Sequence, residues 1–227
     1  MKKWFEKILN LLFPPKCPFC AKILDVPGIC NTCEQELPWI KDEEVVVKKL
    51  EGIRCAAPLW YQEQVRETLL RFKFQGNSAI AGPLGEVIAR CAAEQFGGEF
   101  DIVTWVPVSK RRLRKRGYDQ TELLAQSVCL KWNIRPTKML RKAVDNPPQS
   151  GLRDASARRA NVLGVYEAVN EEQIHGKRVL LIDDIYTTGA TLTECVRVLK
   201  EAGASDVVCV AAARAGVESP KNGVAII

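Results

Sequence analysis

The sequence of 227 residues contains a single histidine, two methionines and no internal repeat. No apolar run reaches the roughly 18 residues that a membrane-spanning helix needs, so we expect no transmembrane segment. Glu6 and Lys7 interrupt the first apolar stretch, and no small-residue cleavage site follows, which is unlike a secretory signal peptide. We therefore expect a cytoplasmic protein. Nine cysteines, an odd number, argue against a disulfide framework in that compartment.

Positive charge is concentrated in the middle of the chain. Residues 41–160 contain 22 Lys and Arg against 14 Asp and Glu, whereas residues 161–227 contain six against nine. A positive field of this kind suits phosphate groups or a nucleic-acid backbone. A solvated basic surface is the alternative, and charge alone leaves both open.

The last third of the chain indicates the fold class. Two nearly continuous apolar strands, at residues 178–182 and 206–212, flank a helix at residues 190–202. Strands of this kind are buried on both faces, which predicts an α/β fold with a parallel sheet flanked by helices. Further strands are expected at residues 54–60, 101–106, 138–142 and 163–169. Further helices are expected at residues 4–12, 61–74, 79–95 and 120–132.

Three regions follow from composition and element order. Residues 1–40 form an amino-terminal helix and a small cysteine-rich module, and residues 41–53, which are rich in charge, form a linker. Residues 54–227 form the α/β domain.

Residues 179–191 carry an acidic pair and a Thr/Gly-rich loop between a buried strand and a helix. The first amide groups of a helix have no internal partner and lie at the positive end of its dipole, so they attract phosphate. Carboxylates repel phosphate but accept hydrogen bonds from sugar hydroxyls. The combination indicates a site for a ribose 5-phosphate group. Its residues are Asp183, Asp184, Thr187, Thr188, Gly189, Ala190 and Thr191.

A simpler interpretation is that Asp183 and Asp184 merely cap the strand and that Thr188 and Gly189 form an ordinary turn. The acidic pair and the turn occur together and in order after apolar residues, which disfavours that interpretation. An ATP-binding P-loop is a poor match because the lysine of that motif is missing. The string is similar to the signature of the type I phosphoribosyltransferases, which act on phosphoribosyl pyrophosphate (PRPP). That resemblance implies ribose binding by Asp183 and Asp184, and 5′-phosphate binding by the loop. It also implies Mg²⁺ that is held mainly by PRPP itself.

A basic stretch offers a place for the second anion of PRPP, its pyrophosphate. Six of the seven residues 110–116 are basic, and they follow an apolar strand, which fits a pyrophosphate-binding loop at the same edge of the sheet. We assign pyrophosphate contact to Ser109, Lys110 and Arg111. The other cations exceed what one pyrophosphate requires and suit a nucleic acid, a protein partner or plain solvation; they are Arg112, Arg114, Lys115 and Arg116.

Residues 143–160 are predicted to form a loop, since they contain Pro147, Pro148 and Gly151. Phosphoribosyl transfer must exclude water, which would hydrolyse the activated sugar, so a hinged loop could close over the pyrophosphate. A surface loop is the alternative. The lid candidates are Arg153, Arg158 and Arg159, and no general base is evident.

Four cysteines form two C-x2-C hooks that are nine residues apart, and they are Cys17, Cys20, Cys30 and Cys33. Two such hooks commonly supply four thiolates to one Zn²⁺. A redox dithiol and unrelated buried thiols are the alternatives. We favour structural zinc, because a module of this size has almost no core of its own. The other five cysteines are scattered among apolar neighbours and are expected to be buried.

These features together resemble the competence protein F (ComF) family of phosphoribosyltransferase-like proteins. Residues 36–39 after the hooks, the string LLRFKFQG at residues 69–76 and the string RGYDQ at residues 116–120 are similar to its motifs. Residues 149–161 resemble its arginine-bearing loop. Asp119 stands where the family usually has Asn, which puts an anion contact at that position in doubt.

The resemblance implies a role in DNA uptake during natural transformation, with PRPP, single-stranded DNA and competence proteins as partners. Two functions stay open at this point. One is an enzyme that transfers phosphoribose to a nitrogen acceptor. The other is a non-catalytic protein that senses PRPP or a nucleotide, or binds single-stranded DNA as an accessory of the uptake machinery.

Overall fold

The computed structural model describes residues 14–41, 44–50, 52–146 and 160–216. Its strands are β1 (Val46–Leu50), β2 (Ile53–Ala56), β3 (Leu59–Trp60), β4 (Ile102–Trp105), β5 (Leu140–Lys142), β6 (Tyr166–Ala168), β7 (Arg178–Tyr186) and β8 (Asp206–Arg214). Its helices are α1 (Asn31–Glu36), α2 (Glu63–Phe74), α3 (Ala81–Phe96), α4 (Lys110–Arg116), α5 (Gln120–Lys131), α6 (Glu171–Ile174) and α7 (Ala190–Glu201). A 3-10 turn, Ser78–Ile80, leads into α3.

The main sheet has six strands in the order β1-β2-β8-β7-β4, and β3 also pairs with β8. All pairings are parallel except that of β1 with β2. Strands β5 and β6 form a separate antiparallel pair. The prediction of a parallel sheet flanked by helices is confirmed.

The side chains of β7 alternate between the two faces of the sheet and thereby contribute to two separate hydrophobic cores. Leu180 and Ile182 lie in a cluster with residues of α2, α3 and α5, whereas Val179 and Leu181 pack with residues of α7 on the opposite side. Successive side chains of a strand point to opposite faces, so a continuously apolar strand is buried on both. The helices expected from apolar periodicity therefore cover the two faces of this sheet.

The cysteine module packs directly on the α/β domain. Cys17, Phe19, Cys30 and Cys33 are buried in the same cluster as α3 and α5. Strand β1 lies inside the segment 41–53 that the sequence presents as a linker, and Val46 and Val47 pair with Ala56 and Cys55. The boundaries of the three regions otherwise stay a prediction.

Some elements differ from their predicted bounds for identifiable reasons. The expected strand 54–60 divides into β2 and β3 around Pro58, which has no backbone N–H for a sheet. Strand β7 continues through Tyr186, so the acidic pair lies inside the strand instead of following it. Strands β5 and β6 are shorter than expected.

The basic stretch forms a helix, α4, and the interpretation of it as a loop is wrong. Ser109 caps its amino terminus by accepting a hydrogen bond from the amide of Arg112 at 3.3 Å. Gly117 ends it with a φ of 83°, a left-handed conformation that suits glycine.

Two predicted features lie outside the described residues: the amino-terminal helix at residues 4–12, and the lid candidates Arg153, Arg158 and Arg159. Across the described segments, none of the helices combines the length and the apolar character required to cross a bilayer.

Helices α3 and α5 approach closely at a glycine. A Cβ atom added to Gly85 would lie 2.3 Å from Cβ of Ser127 and 3.2 Å from its carbonyl carbon. Gly82, one turn earlier, has nothing within 4 Å of the same position. The contact between the two helices therefore requires glycine at one position and not at the other.

We predict that Gly85→Ala lowers the free energy of unfolding by about 1–3 kcal/mol, because the helices must separate. Gly82→Ala is the matched control and should leave stability unchanged or raise it slightly, since alanine favours helix. Urea unfolding of the two variants measures both values. Equal stability of the two variants would show that α3 and α5 do not pack tightly at Gly85.

Candidate functional site

The candidate ribose-phosphate site lies at the carboxyl end of β7. The strand ends at Tyr186, a short turn follows, and α7 begins after Gly189, whose φ is 80°. The N-cap residue Gly189 has no side chain with which to cap α7, and the amide groups of the first turn, which have no intrahelical partners, are directed at the sheet edge. The hydroxyl Oγ1 of Thr188 is buried there and has no hydrogen-bond partner in the described part of the chain. The arrangement is that of an anion site.

Asp184 is held by residues from two other elements. Its Oδ1 lies 2.9 Å from Nζ of Lys73, and its Oδ2 accepts a hydrogen bond from Nε2 of Gln120 at 3.0 Å. Arg116 donates to Oε1 of Gln120 at 2.6 Å and lies over the ring of Phe74. Asp184 is therefore an oriented carboxylate with a cation beside it.

Asp183 points to the opposite face of the sheet, as alternation along β7 requires. Its Oδ1 accepts a hydrogen bond from the amide of Asp184 at 2.8 Å. Burial, and then the negative charge of Asp184, raise the pKa of Asp183 from 3.8 to about 8. Asp183 is therefore mainly a neutral acid near neutral pH.

Two of the residues assigned to pyrophosphate contact, Ser109 and Arg111, bind Asp145, a carboxylate that the sequence analysis did not identify. Oγ of Ser109 donates to Oδ1 of Asp145 at 2.5 Å, and Nε of Arg111 lies 2.8 Å from its Oδ2. Lys110 is exposed at the start of α4. An incoming anion would compete with Asp145 for these donors, so the carboxylate holds them together in the ligand-free state.

The basic residues of α4 have two different environments. Arg112 donates to the backbone oxygen of Asn146 at 3.0 Å, and Arg116 contacts Gln120, so both engage the domain. They are four residues apart and share a helix face. Lys110, Arg114 and Lys115 are exposed. Among the described residues, no carboxylate pairs with these three.

Asp119 has a structural role, which gives a physical reason for an acid where the family that the sequence resembles usually has Asn. Its Oδ1 accepts hydrogen bonds from the amides of Thr121 and Glu122, and its Oδ2 accepts one from the amide of Val108 at 2.9 Å. Both oxygens are therefore acceptors that tie the start of α5 to the end of β4. These bonds leave the carboxylate engaged with backbone amides.

Sequence reasoning also missed Lys73 and Lys142. Lys73 lies in the string LLRFKFQG, whose resemblance to a family motif was the only available signal. Lys142 lies over the ring of Tyr166 at 5.2 Å, and burial, followed by the charge of Arg112, lowers its pKa from 10.5 to about 8.

The four clustered cysteines form a candidate zinc site. Their sulfur atoms all lie within 4.8 Å of one another; Cys20 is exposed and the other three are buried. Burial raises the pKa of Cys17, but hydrogen bonds from the backbone of Cys30, Cys20 and Phe19 outweigh it and lower that pKa to about 7. Four thiolates at this spacing fit tetrahedral Zn²⁺. The other five cysteines are buried as free thiols, as expected.

We predict that Asp183→Asn changes the pH dependence of stability. The pKa of Asp183 is raised by folding, so its contribution is fully present below the unfolded value and is lost as pH rises through about 8. The wild type should lose stability relative to the variant between pH 4 and 8, at no more than about 1.4 kcal/mol per pH unit. Urea unfolding at several pH values measures this difference. Parallel curves would contradict the buried, neutral state of Asp183.

Two family models match separate parts of the chain. A phosphoribosyl transferase domain model matches residues 122–225, and a double zinc ribbon domain model matches residues 8–45. Part of the chain is similar to the glutamine PRPP amidotransferase of Bacillus subtilis, with a TM-score of 0.40 and 20% identity. That similarity covers 62% of this chain and 30% of the amidotransferase chain.

Relatives match most of the chain. Competence protein ComFC of Bacillus subtilis is 29% identical over 187 residues, which cover 82% of this chain and 72% of that protein. Competence protein F of Haemophilus influenzae is 28% identical over 202 residues, which cover 85% of this chain and 82% of that protein. The chain is thus a homologue of the ComFC and ComF competence proteins, with a zinc ribbon ahead of a phosphoribosyl transferase domain.

Proposed function

We propose that this protein binds PRPP with Mg²⁺ at the carboxyl edge of β7. The observation that carries the proposal is the hydroxyl of Thr188, which is buried beside the start of α7 without a partner in the described residues. A buried hydroxyl in this state destabilises the protein unless a ligand satisfies it. A phosphate oxygen is an acceptor of the required kind, and the amide groups of α7 add further donors.

The parts of PRPP match different parts of the edge. The 5′-phosphate is assigned to the turn and first residues of α7, and the ribose hydroxyls to Asp183 and Asp184. Asp184, held beside Lys73, supplies acceptor oxygens, whereas a neutral Asp183 also carries a proton to donate. The pyrophosphate is assigned to Ser109, Lys110 and Arg111, of which Ser109 and Arg111 would exchange Asp145 for the ligand.

Magnesium fits this site as a companion of PRPP. In the described parts of the chain, the cysteine cluster is the only group of three or more side chains that could hold a metal ion. Thiolates suit zinc, whereas Mg²⁺ prefers oxygen ligands and keeps several waters. The pyrophosphate and ribose hydroxyls would hold the cation, while Asp183 and Asp184 orient those hydroxyls.

Binding of PRPP is compatible with two functions, one catalytic and one sensing. In the catalytic form, the bond from C1 of the ribose to pyrophosphate breaks, pyrophosphate leaves with the electron pair, and a nitrogen acceptor bonds to C1 and releases a proton. In the sensing form, PRPP or a nucleotide binds without turnover. Pyrophosphate release with nucleobase or amine acceptors, abolished by Asp183→Ala, separates them. Binding without release across a broad panel favours the sensor.

We predict that Thr188→Val weakens the binding of PRPP at least tenfold, since a hydrogen bond to a charged group contributes about 1.5–3 kcal/mol. Calorimetric titration with PRPP and Mg²⁺ measures the affinity. The ligand-free variant should be as stable as the wild type or more so, because no hydrogen bond of Thr188 is lost.

Thr193→Val, in the first turns of α7 beyond the candidate site, is the control and should bind PRPP normally. No binding of PRPP by the wild type would overturn the proposed function. Equal PRPP affinities of the wild type and Thr188→Val would show that the start of α7 is not part of the PRPP site.

A second candidate function, binding of single-stranded DNA, is favoured by the outward face of α4. Lys110, Arg114 and Lys115 are exposed on this face and lack carboxylate partners among the described residues. A row of unpaired cations is suited to a phosphate backbone. The relatives are named as competence proteins, and this surface offers a physical basis for a DNA-handling role with competence proteins as partners.

We predict that single-stranded DNA binds with an affinity that falls steeply as salt rises. Changing Lys110, Arg114 and Lys115 to Ala should reduce the slope of log affinity against log salt by about 2, at ~0.7 for each cation. The control removes three exposed cations from another surface, Lys131, Arg135 and Lys138. Fluorescence anisotropy measures both variants, and equal slopes would exclude the α4 surface.

A further inference from the structure

The first hook of the zinc module is bonded to α2. The backbone oxygen of Pro18, between Cys17 and Cys20, accepts a hydrogen bond from Oγ1 of Thr68 at 2.9 Å and another from Nη2 of Arg71. The same Nη2 also lies 3.1 Å from Oγ1 of Thr68. Thr68 is fully buried, so its hydroxyl depends on this one carbonyl as acceptor. The position of Pro18 is fixed by the hook that binds the metal.

The next turn of α2 carries a residue of the candidate ribose site. Lys73 lies two positions after Arg71, and its Nζ is 2.9 Å from Oδ1 of Asp184. Phe72 between them is fully buried and stacks on Tyr118 with the ring centroids 5.8 Å apart. The hydroxyl of Tyr118 donates to the backbone oxygen of Phe72. One end of this short segment contacts the zinc module, and the other contacts the acidic pair.

A helix transmits displacement between such contacts because its backbone is rigid. If zinc leaves, a module with little core of its own loses the constraint that positions Pro18. Thr68 and Arg71 then lose their acceptor in a buried place, which costs free energy as long as α2 keeps its position. Movement of α2 relieves that cost but withdraws Lys73 from Asp184.

We propose that the zinc-loaded module positions Lys73 at the ribose site, so that zinc binding and PRPP binding strengthen one another. Thr68 and Arg71 are the positioning residues, and Lys73 is the residue that reaches the site. This inference rests on the proposed binding of PRPP. Because coupling between two ligands is reciprocal, zinc should increase the affinity for PRPP by the same factor that PRPP increases the affinity for zinc.

The coupling is tested on the full chain in zinc-loaded and zinc-stripped forms. We expect calorimetry to give PRPP affinities that differ by roughly tenfold, within the usual range for coupled sites. Zinc affinity, measured by competition with a chromogenic chelator, should rise by a similar factor when PRPP is saturating. Equal PRPP affinities with and without zinc would overturn the proposal.

A matched pair of variants tests whether the coupling between zinc and PRPP runs through Arg71. Arg71→Met removes a donor to Pro18, whereas Arg66→Met removes an exposed arginine of the same helix. In the zinc-loaded state, Arg71→Met should bind PRPP several-fold more weakly and lose zinc to the chelator faster, and Arg66→Met should match the wild type. Equal zinc loss from the two variants, together with equal PRPP affinity, would remove Arg71 from the route.

A readout without PRPP separates failure of this inference from failure of the proposed function. Removal of zinc should speed amide hydrogen exchange in α2, whichever ligand the edge of the sheet binds. Faster exchange in a protein that does not bind PRPP would retain the link from zinc to α2 and reject the ligand. Unchanged exchange would reject the link itself.

Discussion

The parallel pairing of β7 between β4 and β8 is the constraint on which the rest of the structure depends. Because side chains alternate along this strand, the same backbone buries Leu180 under one layer of helices and Leu181 under the other. The alternation continues past Ile182 into the acidic pair. Asp183 and Asp184 therefore meet different neighbours, although they are adjacent in the chain.

Three parts of the molecule converge on that edge. The start of α7 supplies backbone amide groups, α2 supplies Lys73, and α5 supplies Gln120. Arg116 joins Gln120 to α4, whose other face carries exposed cations. A small anionic ligand and a long polyanion would thus bind to neighbouring surfaces that share one helix. This proximity offers a physical basis for combining the proposed PRPP site with the proposed DNA-handling role in one chain.

Features that are local in sequence could be predicted, and contacts between distant segments could not. The strand, turn and helix around Asp183 and Thr188 are continuous, as is each cysteine hook. Lys73 and Asp184 are far apart in the chain, and their pairing depends on how α2 packs on the sheet. Helix α4 was missed because a nearly uniform run of cations has no apolar period, although Ser109 and Gly117 are ordinary helix-end residues.

The most direct test of the central claim is a structure of the full chain with PRPP and Mg²⁺ bound. We predict that the 5′-phosphate contacts Thr188 and the amide groups at the start of α7, and that the ribose hydroxyls face Asp183 and Asp184. A 5′-phosphate bound instead on α4, with Thr188 still unpaired, would contradict the account.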